Sequence, residues 1–296
     1  MYQQLKLLLL ALCLFVTPTQ AEQIIPVGAR LAMGYYYPSL SIITNPTDIQ
    51  VSLNYWIREL TSSYGMDNVY SVLYKDIDQM HQDFVDKKID LIIAPPLLIA
   101  TKFDRKILSD GFLGMQSADY LDHLSIIVRQ ENNIPFDGFL GKRLLLPSND
   151  LLAKMFIETE ILKQYHRPIK QVFSQVKNSN KSQRMVLDLF FDKADVAIVY
   201  KNALDVILEL NPQLSEKIKV IQGFPIRGRS FGYFHTDYPY QEKLRIKVSL
   251  FNKQPKAKLI LQLFHTSIVE ICYVHYLEPF DIFYNKYQAL IEQVNK

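Results

Sequence analysis

Ser148-Asn149-Asp150 is the short run whose residue types best suit a ligand site. It follows an apolar segment, Leu144 to Leu146, and precedes a stretch that is typical of a helix. Ser, Asn and Asp at such a place predict a helix N-cap. A helix start also offers backbone N–H groups and a partial positive charge, which suit an anion. The Asp150 carboxylate competes for that position, so a cap alone and a ligand contact both remain open.

Tyrosines and prolines mark the ends of other predicted strands. In open α/β sheets, ligands bind beyond the carboxyl ends of parallel strands. Alternate residues of a strand face opposite sides, so some of these side chains face a crevice while others pack in the core. We expect a ligand site here, with core packing or a plain structural stop as the alternative. The residues are Tyr35, Tyr36, Pro95, Pro96 and Tyr200.

Catalytic and metal-binding patterns are scarce. The chain has no Gly-x-Ser-x-Gly elbow, no Gly-x-Gly-x-x-Gly turn and no Walker loop. None of the six histidines is paired with another at i, i+4, so we expect no zinc site. Asp119 and Asp122 are an acid pair of the kind that is usually solvated in a polar turn. We predict no catalytic residue, no metal and no cofactor.

The predicted elements place these residues at sheet edges. Strands alternate with helices in the first part of the chain, which predicts a parallel sheet covered by helices. A second α/β region follows, and the last segment is predicted to be helical, including residues 255–273. The predicted strands are Arg30–Tyr36, Val69–Tyr74, Ile89–Ala94, Leu124–Arg129, Leu144–Leu146, Ile169–Phe173 and Asp195–Val199.

A weak internal repeat links the two α/β regions. Asp86 to Ile93 is echoed by Asp192 to Ile198, and each run combines a helix end, a charged turn and a buried strand. Two similar halves in one chain are expected to meet across a crevice.

Composition and the N-terminus indicate an exported, globular protein. The 296 residues suggest two domains, and a net charge of +3 with interspersed signs gives no footprint for nucleic acid. Lys6, the apolar run Leu7 to Val16 and Thr19-Gln20-Ala21 predict a secretory signal over residues 1–21, cleaved after Ala21. Cys272 alone remains after cleavage, which excludes an internal disulfide.

Several runs together resemble a known family. The chain from Leu31 to Asp237 resembles the periplasmic solute-binding proteins of the phosphate/phosphite/phosphonate type, which have the type 2 periplasmic-binding fold. The runs that carry the resemblance, besides the export signal, are Lys88 to Pro96, a strand led by Tyr120 that ends at Ile126 to Arg129, Gly141 to Leu144, Ser148 at a helix start, and Asp195-Val196-Ala197.

The resemblance implies an α/β protein with two lobes, each a mostly parallel sheet flanked by helices. Residues 22–122 and 223–296 form the first lobe with the C-terminal helices, and residues 123–222 form the second. It also implies ligand contacts near Tyr120 and from Asp195 to Tyr200.

The implied function is to capture a small-molecule solute between the lobes in the periplasm. A monomer would deliver the solute to the membrane permease of an ABC transporter. The alternatives are a sensory or regulatory partner of a membrane receptor and, third, an enzyme on the same scaffold.

The chain departs from the family at the second-lobe helix start. Phosphonate binders carry a Ser-Thr-Ser-Gly-like run there, whereas this chain has Ser148-Asn149-Asp150-Leu151. An acid and a bulky apolar residue replace two small positions. A neutral or amine-bearing ligand suits Asp150 better than a phosphonate does, and loss of solute binding is the other outcome.

Overall fold

The computed structural model describes residues 25–26, 28–38, 46–62, 65–66, 68–115, 121–131, 134–253, 261 and 266–294. The predicted signal sequence, its cleavage site after Ala21, and Tyr120 lie outside the described residues.

The strands of the described residues form two sheets. The first has the order β11-β4-β10-β3-β1-β2 and the second the order β7-β6-β8-β5-β9. The strands are β1 (Arg30–Tyr35), β2 (Asn68–Leu73), β3 (Leu91–Ala94), β4 (Leu108–Met115), β5 (Asp122–Arg129), β6 (Arg143–Pro147), β7 (Gln175–Ser179), β8 (Val196–Tyr200), β9 (Ile218–Ile226), β10 (Phe231–His235) and β11 (Ile268–Cys272).

Helices flank both sheets, and several of them begin where the sequence provides a cap or a proline. Asp76 caps α2 by accepting a hydrogen bond from Asp78 N, and α2 buries Ile77, Met80 and Phe84 at helical spacing. The helices are α1 (Pro46–Thr61), α2 (Ile77–Val85), α3 (Pro96–Lys102), α4 (Leu151–Tyr165), α5 (Ile169–Val172), α6 (Ser182–Phe190), α7 (Lys201–Leu210), α8 (Pro212–Ser215), α9 (Gln241–Phe251) and α10 (Glu278–Val294).

Each sheet contains a parallel trio and an antiparallel part. Strands β2, β1 and β3 are parallel neighbours, as are β7, β6 and β8. The other neighbouring strands are antiparallel. The expectation of mostly parallel sheets was therefore wrong in this detail, because the strands that connect the two sheets run back against their neighbours.

The chain passes between the sheets twice, at adjacent places. It leaves the first sheet after Met115 and returns after Ile226. In the second sheet Asp122 is the register partner of Ile226, so the end of the first connection lies beside the start of the second. At Gly228 a Cβ atom would lie 3.0 Å from the carbonyl oxygen of Gly114, which shows how closely the two backbones pass.

Two segments adopt structures other than those predicted. Residues 169–173 contain helix α5 instead of a strand, because Ile169, Val172 and Phe173 are buried at the i, i+3, i+4 spacing of a helix. The strand follows as β7, a mostly exposed edge strand without the apolar run that identifies a buried strand.

The described part of the C-terminal segment also contains one strand. Ile268–Cys272, predicted as part of a helix, is β11 and pairs with β4 at the edge of the first sheet. Its short apolar pattern fits either element, and the pairing with a strand far earlier in the chain decides between them. The division of the chain into residues 22–122, 123–222 and 223–296 stays a prediction.

Candidate ligand-binding cleft

A cavity of about 780 Å³ lies between the two sheets, at the carboxyl ends of both parallel trios. From the first sheet, residues that follow β1, β2 and β3 line it, namely Tyr36, Lys75 and Pro95. From the second sheet it is lined by the ends of β6, β7 and β8. The α/β rule that ligands bind beyond the carboxyl ends of parallel strands therefore points to this cavity from both sides.

A second cavity of about 680 Å³ shares part of its wall with the first. Asp150, Tyr200 and Arg229 line both cavities. The predicted site residues divide between them. Tyr36, Pro95, Pro96 and Asn149 line the first cavity, and Tyr35 and Ser148 line the second.

The carboxylate of Asp150 has partners on both of its oxygens. Oδ1 accepts a hydrogen bond from Ala153 N at 2.9 Å, which makes Asp150 the N-cap of α4. Oδ2 accepts a hydrogen bond of 2.6 Å from the hydroxyl group of Tyr200. Asp150 therefore serves as the cap that the sequence predicted and also presents its charge at the cavity wall.

Tyr200 is a neutral donor at this position. Burial raises the pKa of its phenol well above the ordinary value, and the nearby negative charge of Asp150 acts in the same direction. The phenol consequently stays protonated and donates to Asp150. The guanidinium carbon of Arg229 lies 3.8 Å from the centre of the Tyr200 ring, a cation–π arrangement.

Arg229 connects this pair with the start of helix α7. Its Nη2 atom donates to Asn202 Oδ1 at 2.7 Å and lies 3.6 Å from Asp122 Oδ2. Asp122 Oδ1 accepts a hydrogen bond of 3.0 Å from Asn202 N. Asp122 is thus buried, unlike the solvated turn residue that the sequence suggested. Asp119, the other member of the acid pair, lies outside the described residues. Asp122 is a buried ion-pair partner of Arg229 and lines the second cavity.

Tyr35 and Tyr36 face different surroundings, as expected for neighbours at a strand end. Tyr35 is buried, and burial raises the pKa of its phenol, which hydrogen-bonds with Ser230. Tyr36 is half-buried beside the first cavity, and burial raises its pKa too. Both phenols therefore stay neutral.

The sequence analysis missed the charged residues that line the first cavity. Lys75 and Lys154 are exposed and line the first cavity, as does the half-buried Arg229. Lys75 lies two residues beyond the end of β2, so the strand-end rule could have found it. Arg229 belongs to the connection between β9 and β10, where Arg227-Gly228-Arg229 was the available signal.

Asp195, predicted as a ligand contact, lies away from both cavities. It precedes β8 and is therefore at the opposite end of that strand from Tyr200. Its Oδ2 atom accepts hydrogen bonds from Arg143 N at 2.9 Å and Arg143 Nε at 2.8 Å. Those hydrogen bonds hold the pKa of Asp195 below its ordinary value. The geometry assigns Asp195 to the structure of the sheet. Tyr120 lies outside the described residues.

The described residues contain no group of three or more His, Cys, Asp or Glu side chains that could hold a metal ion. None of the helices within the described ranges has the length and apolar character of a membrane span.

Solved structures share the fold of this chain at low sequence identity. A Xanthomonas citri protein bound to ATP aligns with a TM-score of 0.64 and 12% identity, over 89% of this chain and 98% of that chain. PhnD1 from Prochlorococcus marinus in complex with methylphosphonate aligns with a TM-score of 0.60 and 14% identity, over 87% of this chain and 98% of that chain.

A binding-protein component of an ABC phosphonate transporter from Pseudomonas aeruginosa gives a TM-score of 0.59 and 15% identity, over 89% of this chain and 88% of that chain. These likenesses confirm the two-lobed fold expected from the sequence. No curated protein sequence matches the chain.

The family assignment comes from the sequence itself. Residues 42–270 match the family model described as "ABC transporter, phosphonate, periplasmic substrate-binding protein". This match spans most of the chain and includes strands of both sheets. The chain therefore belongs to the family of periplasmic substrate-binding proteins of ABC phosphonate transporters.

Proposed function

We propose that this protein captures a small solute in the first cavity and delivers it to the permease of an ABC transporter. The protein makes and breaks no bond in the solute. It is exported by a signal over residues 1–21, cleaved after Ala21, and works in the periplasm as a monomer. Its solute contacts are Tyr36, Pro95, Pro96, Asn149, Asp150, Tyr200, Lys75, Lys154 and Arg229.

The observation that carries this proposal is the position and size of the first cavity. Its volume of about 780 Å³ falls within the roughly 300–1,000 Å³ of sites for small ligands. Residues from both sheets line it, so a solute there touches both lobes. A ligand that contacts both sides favours the closed arrangement, which is how clamps of this architecture respond to ligand.

The paired connections between the sheets suit such a closure. They lie side by side near Asp122 and Ile226 and pass closely at Gly114 and Gly228. A rotation of one sheet relative to the other about these connections changes the width of the cleft and leaves both sheets intact. The family assignment favours transport over the sensory alternative, since the family is defined by ABC transporters.

The direct test starts from mature protein purified from a periplasmic extract without denaturation. Native mass spectrometry identifies any solute that it retains. Calorimetric titration with a panel of amines, amino acids, neutral amides and phosphonates then measures affinity, and small-angle scattering measures compaction. We expect one chemical class to bind and to reduce the radius of gyration. No binding and no compaction with any solute contradicts the proposal.

A blocking substitution links the binding to this cavity. Leu151 is 42% exposed at the start of α4 and lines the first cavity. Leu151→Trp places a larger side chain in the space for the solute, so we expect affinity to fall at least tenfold. The matched control is Leu210→Trp, at a helix position that is 73% exposed and lines neither cavity. Equal affinities of both variants contradict the assignment of the site.

A further inference from the structure

Three helices begin at the cleft, and the chain itself occupies or removes backbone N–H groups at each start. These are α3, α4 and α7, which follow Pro95, Asp150 and Tyr200. Free N–H groups at a helix start, together with the helix dipole, are what makes such a place attractive for an oxyanion. How these groups are used therefore decides which solute chemistry the cleft accepts.

At α4 the occupant is the carboxylate of Asp150. Ala153 N donates to its Oδ1 atom at 2.9 Å, and Lys154 N donates to the main-chain oxygen of the same residue at 3.1 Å. The Tyr200 hydroxyl donates to Oδ2 at 2.6 Å. A negative charge with the position and hydrogen bonds of a bound anion is thus already present in the protein.

At α7 a second carboxylate has the same role. Asn202 N donates to Asp122 Oδ1 at 3.0 Å, and Ala203 N donates to the Asn202 side chain at 2.7 Å. At α3 the sequence removes donors instead. Pro96 has no N–H group, and Leu98 N and Ile99 N both donate to the main-chain oxygen of Pro95.

We propose that Asp150 is a built-in anion that determines the specificity of the cleft. It excludes phosphonate-like oxyanions from the start of α4 and selects a solute that presents an amine or another hydrogen-bond donor there. This inference rests on the proposed function, because it concerns the solute of the same cavity.

Asp150 has unused hydrogen-bond acceptor sites for such a donor. An ionised carboxylate has about four acceptor sites, and Ala153 N and the Tyr200 hydroxyl use two of them. A solute N–H group can use another without displacing either partner. Lys75 and Lys154 line the same cavity, so an anionic group elsewhere on the solute is directed toward these ammonium groups. An amine-bearing solute with a separate carboxylate therefore matches both parts of the wall.

The test uses methylphosphonate as the probe, with the mature wild-type protein and Asp150→Asn. Asparagine caps helices about as well as aspartate, so the variant is expected to fold. The substitution removes the charge at nearly constant shape and replaces one acceptor oxygen with an NH2 donor. Like charges at contact distance oppose binding, so removing one of them favours the anion. We expect methylphosphonate to bind Asp150→Asn at least tenfold more tightly than the wild type.

The matched control is Asp104→Asn. Asp104 is an exposed aspartate that caps the 3₁₀ helix Arg105–Ile107 and lines neither cavity. It changes the net charge equally, so we expect no change in methylphosphonate affinity.

The outcomes separate this inference from the proposed function. Micromolar binding of methylphosphonate by the wild type overturns the role of Asp150 but leaves solute capture intact. Equal affinities of Asp150→Asn and Asp104→Asn also overturn the inference, even if the protein closes on another solute of the panel. Failure of the wild type and both variants to bind any solute contradicts both proposals.

Discussion

Tyr200 contacts a negative and a positive side chain at the wall of the cleft. Its hydroxyl group donates to Asp150, while its ring supports the guanidinium group of Arg229. Arg229 in turn pairs with Asp122, which lines the second cavity. Asp150 is therefore held by neutral hydrogen-bond donors and keeps its negative charge, whereas the positive charge of Arg229 is paired inside the protein. Such a connected set of polar groups holds the wall in one arrangement before a solute arrives.

Tyr200→Phe tests the hydrogen bond within this set. The ring remains for Arg229, but Asp150 loses a donor, and a hydrogen bond to a charged group contributes roughly 1.5–3 kcal/mol. We expect the free energy of unfolding to fall by about 1–3 kcal/mol in urea denaturation. Tyr55→Phe, at a 47% exposed position on α1, is the control and is expected to have almost no effect. A neutral result for Tyr200→Phe contradicts the importance of this bond.

At the scale of elements, Asp195 belongs to a structural unit that occurs once in each sheet. In each half a helix ends in a left-handed residue, Lys87 with φ 57° and Asp192 with φ 58°. An aspartate then precedes a buried strand and is held by the first arginine of the neighbouring strand. Asp90 is bound by Arg30 Nη2 at 2.8 Å, and Asp195 by Arg143 Nε at 2.8 Å. The repeat seen in the sequence is thus structural and lies at the strand ends remote from the cleft.

Asp195→Asn is expected to show a pH-dependent loss of stability. Because the hydrogen bonds from Arg143 lower the folded-state pKa of Asp195, its stabilisation is present above the unfolded pKa of about 3.9. This contribution is lost as the pH falls through the folded-state pKa. We expect the variant to be less stable by about 1–3 kcal/mol at pH 7. The difference from the wild type should become small as the pH falls well below about 4.

Denaturation at pH 7, 5 and 3 measures this dependence. The control is Asp205→Asn, whose carboxylate forms an i, i+4 pair with Lys201 and is 47% exposed. Exposed pairs of this kind contribute at most about 0.5 kcal/mol. A deficit of Asp195→Asn that stays constant from pH 7 to pH 3 contradicts the ionic explanation.

At the scale of the molecule, helix α10 joins the two sheets. The ring centre of Phe280 lies 6.4 Å from that of Phe224 in β9 and 5.9 Å from that of Phe231 in β10. These strands belong to different sheets and flank the second connection between them. Tyr287 of the same helix donates to Glu158 in α4 at 3.0 Å. Any opening of the cleft must accommodate these contacts.

Phe280→Ala removes the central contact of this helix. Phe280 is buried, and a buried Phe→Ala change costs about 3–5 kcal/mol through lost burial and the cavity that remains. We expect a loss of that size, measured in parallel by far-UV circular dichroism and by the fluorescence of Trp56, the single tryptophan. Ile282→Ala, 69% exposed on the same helix, is expected to change stability by less than about 0.5 kcal/mol. Similar losses in both variants contradict the assigned packing.

Local sequence patterns predicted the elements that depend on local physics. The apolar run of β3, which ends at Pro95, and the cap at Asp150 need no information from distant residues. The internal repeat then predicted two halves that meet across a crevice, and the family resemblance implied two lobes. Elements defined by distant partners were missed or misread. The polar edge strand β7 lacks an apolar signal, and β11 is a strand because it pairs with β4.

The sequence by itself determined the fold class, the family and the strand ends at which a site forms, because strand and helix periodicity and strand-stopping residues are local properties. Only the tertiary structure decided how the charges are used. It joined Tyr200 to Asp150 across 50 residues of chain, placed Arg229 on the Tyr200 ring, and paired Asp195 with Arg143 away from the cleft. Ion pairs and hydrogen bonds depend on distances between residues that folding brings together, and those distances follow from the packing of the two sheets.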